Sequence, residues 1–575
     1  MSGKVVPSLV VLILAASAGS VLLADRRAPD AVPGDVSSVA APRVDPGVRF
    51  SPPAREVVTS AEESWFEASC SLPIEQLRRV KRGYFPRRSP DVLIVPREPN
   101  FVGFFTGQSH SGPWEYLQRV PLVFYGPGFI QPRGPLTLER EVTLADLAPT
   151  LAELLGVPAP NAAGAPIMEV LEPEATRVSP PKLIVTVVWD GGGNNVLDAW
   201  PRAWPELASL MRNGSAVVGA TVGSSPSVTP SIHTNIGTGT FPNRHGVVGI
   251  PIRIDGRVVI SYQGVSPEEV ITPTLADTYD RSTGNEAKIG MLAYKAWHLG
   301  MIGHGSGLPG ADRDTAVLVD QQENLFTNRA FYSYPPELQD TPGFTRAVRV
   351  VDGEDGKIDS KWMGHDLGDP SLRRDTPVWV RYQTDLIKSL MRLESFGRDE
   401  VPDLFYTNYK QADEVGHNWN MLAPEMRPTL EHLDSSLVQL RKFLDEWVGK
   451  EQWVMVVTAD HGQGPLAEAA GAWPILEGEM AQDMARHFGV ETGDLVEQAS
   501  AAGFYLNQEV MTEEDLTVKQ ISDWLIDYRL KDNVEQGQSV PKQYENKLEH
   551  LIIDAAFPGA SLSKVWKCAV GRKQP

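Results

Sequence analysis

The 575-residue chain (63.0 kDa) carries 53 Lys and Arg against 73 Asp and Glu, which gives a net charge of −20 and a pI near 5.1. That balance excludes nonspecific nucleic-acid binding through a basic face. Hydrophobic content of 42% and charged content of 22% are those of a soluble globular protein, and the length suits one large core with insertions or two domains.

The N-terminus reads as a targeting segment. Lys4 precedes an uncharged apolar run over residues 5–24, and Ala16-Ser17-Ala18 fits an A-x-A cleavage site. The run is also long enough to span a bilayer, so residues 1–24 are a signal peptide or a retained N-terminal membrane anchor. Either way the body is exported: periplasmic, extracellular or anchored facing outward. Residues 25–58, rich in Pro, Ala, Asp and Val and without periodicity, read as a disordered linker. The two cysteines, Cys70 and Cys568, form one disulfide in an exported protein or are two unrelated thiols.

A first folded segment covers 60–175. Its apolar runs DVLIV (91–95) and VPLVFYGPG (120–128) predict strands. TLADLAPTLAELLG (143–156) predicts a helix, with Thr143 and Asp146 as an N-terminal cap and Gly156 as the stop. A second segment, 180–565, opens with KLIVTVVWDGGG, a continuous apolar run that predicts a buried parallel strand entering a glycine-rich loop. A helix is expected over 204–214. Further strands are expected at 288–292, 403–409 and 453–459, alternating with helices at 377–396 and 424–447. This alternation predicts an α/β fold, a doubly wound and mostly parallel sheet with helices on both faces. Residues 305–375 read as an irregular insertion and 513–552 as mostly helical.

Three segments place Asp and His where a strand should end. The apolar run from 182 ends in Asp190, ADEVGH carries Asp413 and His417, and VVTADHG ends in Asp460 and His461. Open α/β sheets bind ligands at such edges, and carboxylate with imidazole is the ligand mix of a hydrolytic zinc site. Thr229 lies in a Ser-, Thr- and Gly-rich stretch, and metal coordination can activate its hydroxyl as a nucleophile. Two divalent ions, zinc by ligand type, would hold the attacking and leaving oxygens of an in-line displacement. The first would take Asp190, Thr229, Asp460 and His461; the second would take Asp413, His417 and one more His. His233 and His245 read as supports of the Thr229 loop, while His298 and His304 line a cleft or simply pack.

Together WDGGG, SVTPSIHTNIGTGTFPNRHG, DEVGH and ADHG resemble the alkaline phosphatase superfamily, and within it the type I phosphodiesterase and nucleotide pyrophosphatase branch. The motifs run in the expected order over about 180–465. The resemblance implies an exported metal-dependent phosphoric ester hydrolase that acts on a small phosphoester. An alkaline phosphomonoesterase on the same scaffold is the alternative, followed by a metal-binding protein without turnover. The family's remaining zinc-binding His normally follows D-H-G, but here the fitting context is TGQSHSGPWEYLQRVPLVFYGPG, near the N-terminus. The resemblance therefore implies a circularly permuted chain: 60–175 would form the C-terminal part of the catalytic domain, 180–565 its N-terminal and middle parts, and His110 would be the missing ligand. Permutation would also put Cys70 and Cys568 beside the old junction, where a disulfide would tie the ends.

The family pattern is not complete. Where many relatives carry a phosphoryl-contacting Asn 21 residues after the nucleophile, this chain has Ile250, so that contact is absent or supplied from elsewhere; Asn235 lies nearby in sequence as a candidate substrate-binding residue. Lys295, in AYKAWHLGMIGHG, matches a phosphate-binding Lys of related phosphatases or is a surface lysine. A sulfatase is disfavoured because the nucleophile slot holds Thr229, and Cys568 heads CAVGR without the required Pro.

Overall fold

The computed structural model describes residues 64–572 apart from 104–108, 160, 175–178, 321, 465 and 536. The targeting segment 1–24 and the linker 25–58 lie outside the described residues. Among these residues, no helix is long and apolar enough to cross a membrane.

The body is α/β, as the alternation predicts. Its large sheet centres on five parallel neighbours in the order Asp314–Val319, Ile289–Ala293, Asp403–Tyr409, Leu183–Trp189 and Trp453–Thr458. Beyond Trp453–Thr458 lie Leu122–Tyr125, antiparallel, then Ser215–Val217 and Gly134–Leu136. The segment before residue 175 thus supplies two strands to the sheet built by the rest of the chain.

The strand Leu183–Trp189 shows why the sheet is covered twice. Every residue in it is buried. Leu183, Val185, Val187 and Trp189 face one core, while Ile184 and Val188 face the other, as the two-residue period of a strand requires. The first core is closed by helices Pro205–Asn213, Pro377–Leu393 and Met426–Leu444. The second is closed by Leu147–Leu155, Thr229–Thr238 and Leu275–Ser282. Burying each such Leu or Val side chain contributes about 1.5–3 kcal/mol of transfer free energy.

Several boundaries follow local chemistry. Thr143 and Asp146 form the expected capping box, and Gly156 ends the helix at φ 67°, where a left-handed residue is needed. Thr376 caps Pro377–Leu393 by accepting from the Val378 amide. Two expectations are corrected. Residues 305–375 are not wholly irregular, because they contain the buried sheet strand Asp314–Val319. Its short apolar run lies between Gly-, Asp- and Pro-rich flanks that mask it. Residues 513–552 hold one helix of more than a few residues, Val518–Ile526, followed by the short 3-10 turns Leu530–Asn533 and Lys542–Lys547. Gly537 and Pro541 punctuate that stretch.

A second, smaller sheet joins the two ends of the described chain. Val92–Pro96 pairs antiparallel with Ile553–Pro558 on one side and with Gly503–Leu506 on the other. Cys70 and Cys568 are disulfide-bonded with a Cα–Cα separation of 5.7 Å. Beside them, Arg572 donates to both carboxylate oxygens of Glu67 at 2.6 Å.

Candidate active site

The site lies at the C-terminal edge of three adjacent parallel strands. Asp190 follows Leu183–Trp189, Lys410 and Asp413 follow Asp403–Tyr409, and Asp460 and His461 follow Trp453–Thr458. Gly191 makes the first turn possible: its φ is +68°, and a Cβ there would meet the Asp413 Cα at 2.9 Å. Its amide donates to Asp460 Oδ1 at 3.0 Å and so couples the two loops. Asp413 and His417 lie on the helix Gln411–Trp419, Asp413 buried in its first turn and His417 half-buried in its last.

Thr229 is buried and begins the helix Thr229–Thr238, whose positive end favours an oxyanion. His233 Nδ1 donates to the Thr229 carbonyl at 2.8 Å, and its Nε2 accepts from Asn408 at 2.9 Å. His245 Nε2 donates to Asn235 Oδ1 at 2.8 Å, and Asn235 Nδ2 donates to Ser224 Oγ at 3.0 Å. His233 and His245 are therefore braces of the loop, as expected. Asn235 is wholly buried, with its amide between His245 and Ser224. His298 is fully buried with its ring 4.6 Å from that of His233, and His304 is tied to Asp277 at 2.8 Å. Both pack.

The predicted ligands fall into two trios. In one, His110 Nε2 and His417 Nε2 lie 3.7 and 3.3 Å from Asp413 Oδ1. In the other, His461 Nε2 lies 3.6 Å from Asp190 Oδ1 and 3.4 Å from Asp460 Oδ2. A four-coordinate ion with bonds of about 2.1 Å has ligand–ligand edges of about 3.4 Å; His110, Asp413 and His417 bring one ligand atom each within 4.8 Å of one another, and so do Asp190, Asp413 and His461, with Asp460 beside them. Asp460 Oδ2 and His461 Nε2 are buried without a protein partner, an arrangement that burial penalises unless an ion fills it. His110 is oriented from behind: its Nδ1 donates to the Ser227 carbonyl at 2.8 Å, which leaves Nε2 with a lone pair. Burial pushes the His110 imidazole down to about 4, so it is the neutral, ligating form at pH 7. Burial alone would raise the Asp413 carboxyl, but His417 and Lys410 hold it well below the usual carboxylate range.

Sequence reasoning missed the centre of this arrangement. Lys410 is buried, and its ammonium lies 2.8 Å from Asp190 Oδ1, 2.5 Å from Asp413 Oδ2 and 3.2 Å from Thr229 Oγ1. Burial would lower its pKa, but Asp190, Asp413 and Asp460 outweigh that and raise it. The available signal was its position, directly after a strand and one helical turn before Asp413. Asn408 was also missed; its amide donates to Asp190 Oδ2 at 3.0 Å. At the rim, Lys295 lies 3.2 Å and Arg374 3.6 Å from the buried carboxylate of Glu414, the neighbour of Asp413. A shallow depression lined by Ser109, His110, Asp413, Gly416, His417 and Gln463 surrounds the first trio.

Residues 184–569 match the family model of the type I phosphodiesterases and nucleotide pyrophosphatases. The chain belongs to that family and is a phosphoric ester hydrolase of the alkaline phosphatase superfamily. It is 20% identical over 410 residues to alkaline phosphatase PafA of Elizabethkingia meningoseptica, covering 61% of this chain and 74% of that protein. It is 30% identical over 122 residues to alkaline phosphatase PhoK of a Sphingomonas species, covering 20% of this chain and 21% of that protein. A crystal structure of wild-type PafA aligns with a TM-score of 0.48 and 18% identity, over 65% of this chain and 84% of that one.

Proposed function

We propose that this chain is an exported phosphodiesterase or nucleotide pyrophosphatase in which Thr229 is the nucleophile and two zinc ions occupy the trios. One observation carries the reading: a single ammonium, that of Lys410, touches Thr229 Oγ1 and one carboxylate from each trio. The hydroxyl and both ligand sets therefore converge on one point.

When bound, the two ions would neutralise charge at the phosphoryl centre and favour the Thr229 alkoxide. The chain's own residues do the rest. Lys410 and the helix N-terminus hold Thr229 Oγ where negative charge develops. Attack of Thr229 Oγ on phosphorus forms the Thr–O–P bond as the bond to the leaving oxygen breaks. Water then cleaves the phosphorylated Thr229 and regenerates the hydroxyl. Asn408, held between Asp190 and His233, fixes the carboxylate against the nucleophile helix.

Alkaline phosphomonoesterase activity is the second reading. Lys295 beside Glu414 favours it, because a second cation at the rim suits the extra charge of a monoester. The relatives PafA and PhoK are named alkaline phosphatases. The Cys70–Cys568 bond supports export, since such bonds persist in oxidising compartments. A circularly permuted order is supported by His110, which precedes the matched residues 184–569 yet completes a trio. It is also supported by the pairing of Val92–Pro96 with Ile553–Pro558. The test is hydrolysis of bis-p-nitrophenyl phosphate and p-nitrophenyl phosphate, with and without zinc, by wild type and Thr229→Ala. Faster diester cleavage that requires both zinc and Thr229 supports the first reading, and faster monoester cleavage supports the second. Turnover that persists in Thr229→Ala sinks both.

A further inference from the structure

At the opposite edge of the sheet is a group of carboxylates with no part in the chemistry above. Asp280 lies on the helix Leu275–Ser282, Asp314 opens the strand Asp314–Val319, and Asp312 precedes it on an exposed loop. One oxygen from each lies within 4.8 Å of the others. The strand runs from Asp314 toward the edge that carries Asp190 and Asp460, so its six residues alone separate the two sites by roughly 17 Å.

This group is more than an acidic surface. Asp280 is 4% and Asp314 7% exposed, and Asp280 Oδ1 is buried without a hydrogen-bond partner. Nearby, Asn285 donates its amide to the Gly310 carbonyl at 3.0 Å, two residues before Asp312, and its own Oδ1 is likewise buried and unpartnered. The charges acting most strongly on Asp314 are those of Asp277, Asp280 and Asp312, all negative. Buried carboxylates without a counter-charge are costly and are normally paired or bound to a cation.

We propose that Asp280, Asp312 and Asp314 hold one calcium ion that pins the helix Leu275–Ser282 to the start of the strand Asp314–Val319. The donor set is all oxygen, which selects a hard cation rather than zinc. Oxygens within 4.8 Å of one another can all reach one calcium ion with bonds of about 2.4 Å, and the exposed side at Asp312 admits water to complete the shell. The site is structural and independent of the catalytic reading.

The experiment is a calcium titration of the full folded protein, stripped with chelator and then reloaded with zinc. It is read by calorimetry, by thermal melting and by terbium luminescence sensitised through Tyr279 on the same helix. One further equivalent of calcium should bind, the melting midpoint should rise, and terbium emission should be displaced by calcium. Asp312→Ala, at an exposed position, should weaken binding at least tenfold with turnover unchanged, and Asp190→Ala should leave calcium binding intact. Absence of binding beyond zinc, undiminished binding in Asp312→Ala, or loss of binding in Asp190→Ala would each overturn the proposal.

Discussion

Replacing Lys410 by Met keeps the length and volume of the side chain while removing the charge at the centre of the site. At the observed separations of 2.8 Å from Asp190 and 2.5 Å from Asp413, each attraction is about 6 kcal/mol at an effective dielectric constant of 20. Desolvation of the buried ammonium cancels much of this, and removing one partner of such a buried pair has a net cost of about 3–5 kcal/mol. That cost is expected in chelator-treated protein, where both carboxylates are left uncompensated. In zinc-loaded protein the loss should be clearly smaller, because the ions would neutralise the same carboxylates. Turnover should fall about 10- to 100-fold, the worth of a hydrogen bond from a charged donor to Thr229. The decrease should appear in kcat more than in KM. Urea denaturation of wild type and Lys410→Met, with and without zinc, alongside steady-state kinetics, measures all three. Equal stability losses in both metal states, or an undiminished kcat in a folded variant, would refute this account of Lys410.

Other consequences are open to measurement. The Cys70–Cys568 bond closes a sequence separation of 498 residues, so Cys70→Ser/Cys568→Ser should lose about 2–5 kcal/mol of stability. Wild type under reducing conditions should behave like the double variant, and identical oxidised and reduced denaturation midpoints would exclude a stabilising bond. Burial would lower the pKa of His304, but its hydrogen bond and ion pair with Asp277 prevail and raise it. Its contribution is therefore complete below the unfolded value of about 6.5 and is lost as pH rises through the folded value. Asp277→Asn should flatten that part of the stability–pH curve; an unchanged slope would mean that another group carries it. If the monoester reading holds, Lys295→Ala should cut kcat/KM for p-nitrophenyl phosphate at least tenfold and that for the diester much less. Equal losses on both substrates would leave Lys295 without a role in recognising the monoester.

Much of the site was legible because its ligands follow buried strands. Asp190, Asp460 and His461 lie at the ends of near-continuous apolar runs, which specify both the parallel sheet and the edge where polar residues emerge. Asp413 and His417 were readable from their spacing, although the helix that carries them looked like the competing interpretation. His110 is different. Nothing local to it speaks of a metal, and only resemblance to a family brought it forward. Its orientation depends on Ser227, distant in sequence, and on packing that periodicity does not encode. Lys410 escaped because a single lysine after a strand reads as a solvated end, and its meaning comes from three partners on separate segments. The contact of Asn235 with the buried His245 imidazole was likewise not legible, because the two are ten residues apart and only the helix and turn between them bring them together. Asp314–Val319 was hidden by its flanks, since a strand whose apolar run is only a few residues long offers little periodicity to detect.

The central claim is that Thr229 carries the phosphoryl group during turnover. Acid quenching of the zinc-loaded enzyme during hydrolysis of its preferred ester, followed by peptide mass spectrometry, tests this directly. The account predicts that the peptide containing Thr229 gains the mass of one transferred phosphoryl or phosphoester group, that fragmentation places the added group on Thr229, and that Thr229→Ala lacks it. An unmodified Thr229 peptide at every quench time, with the added group on another residue, would contradict it.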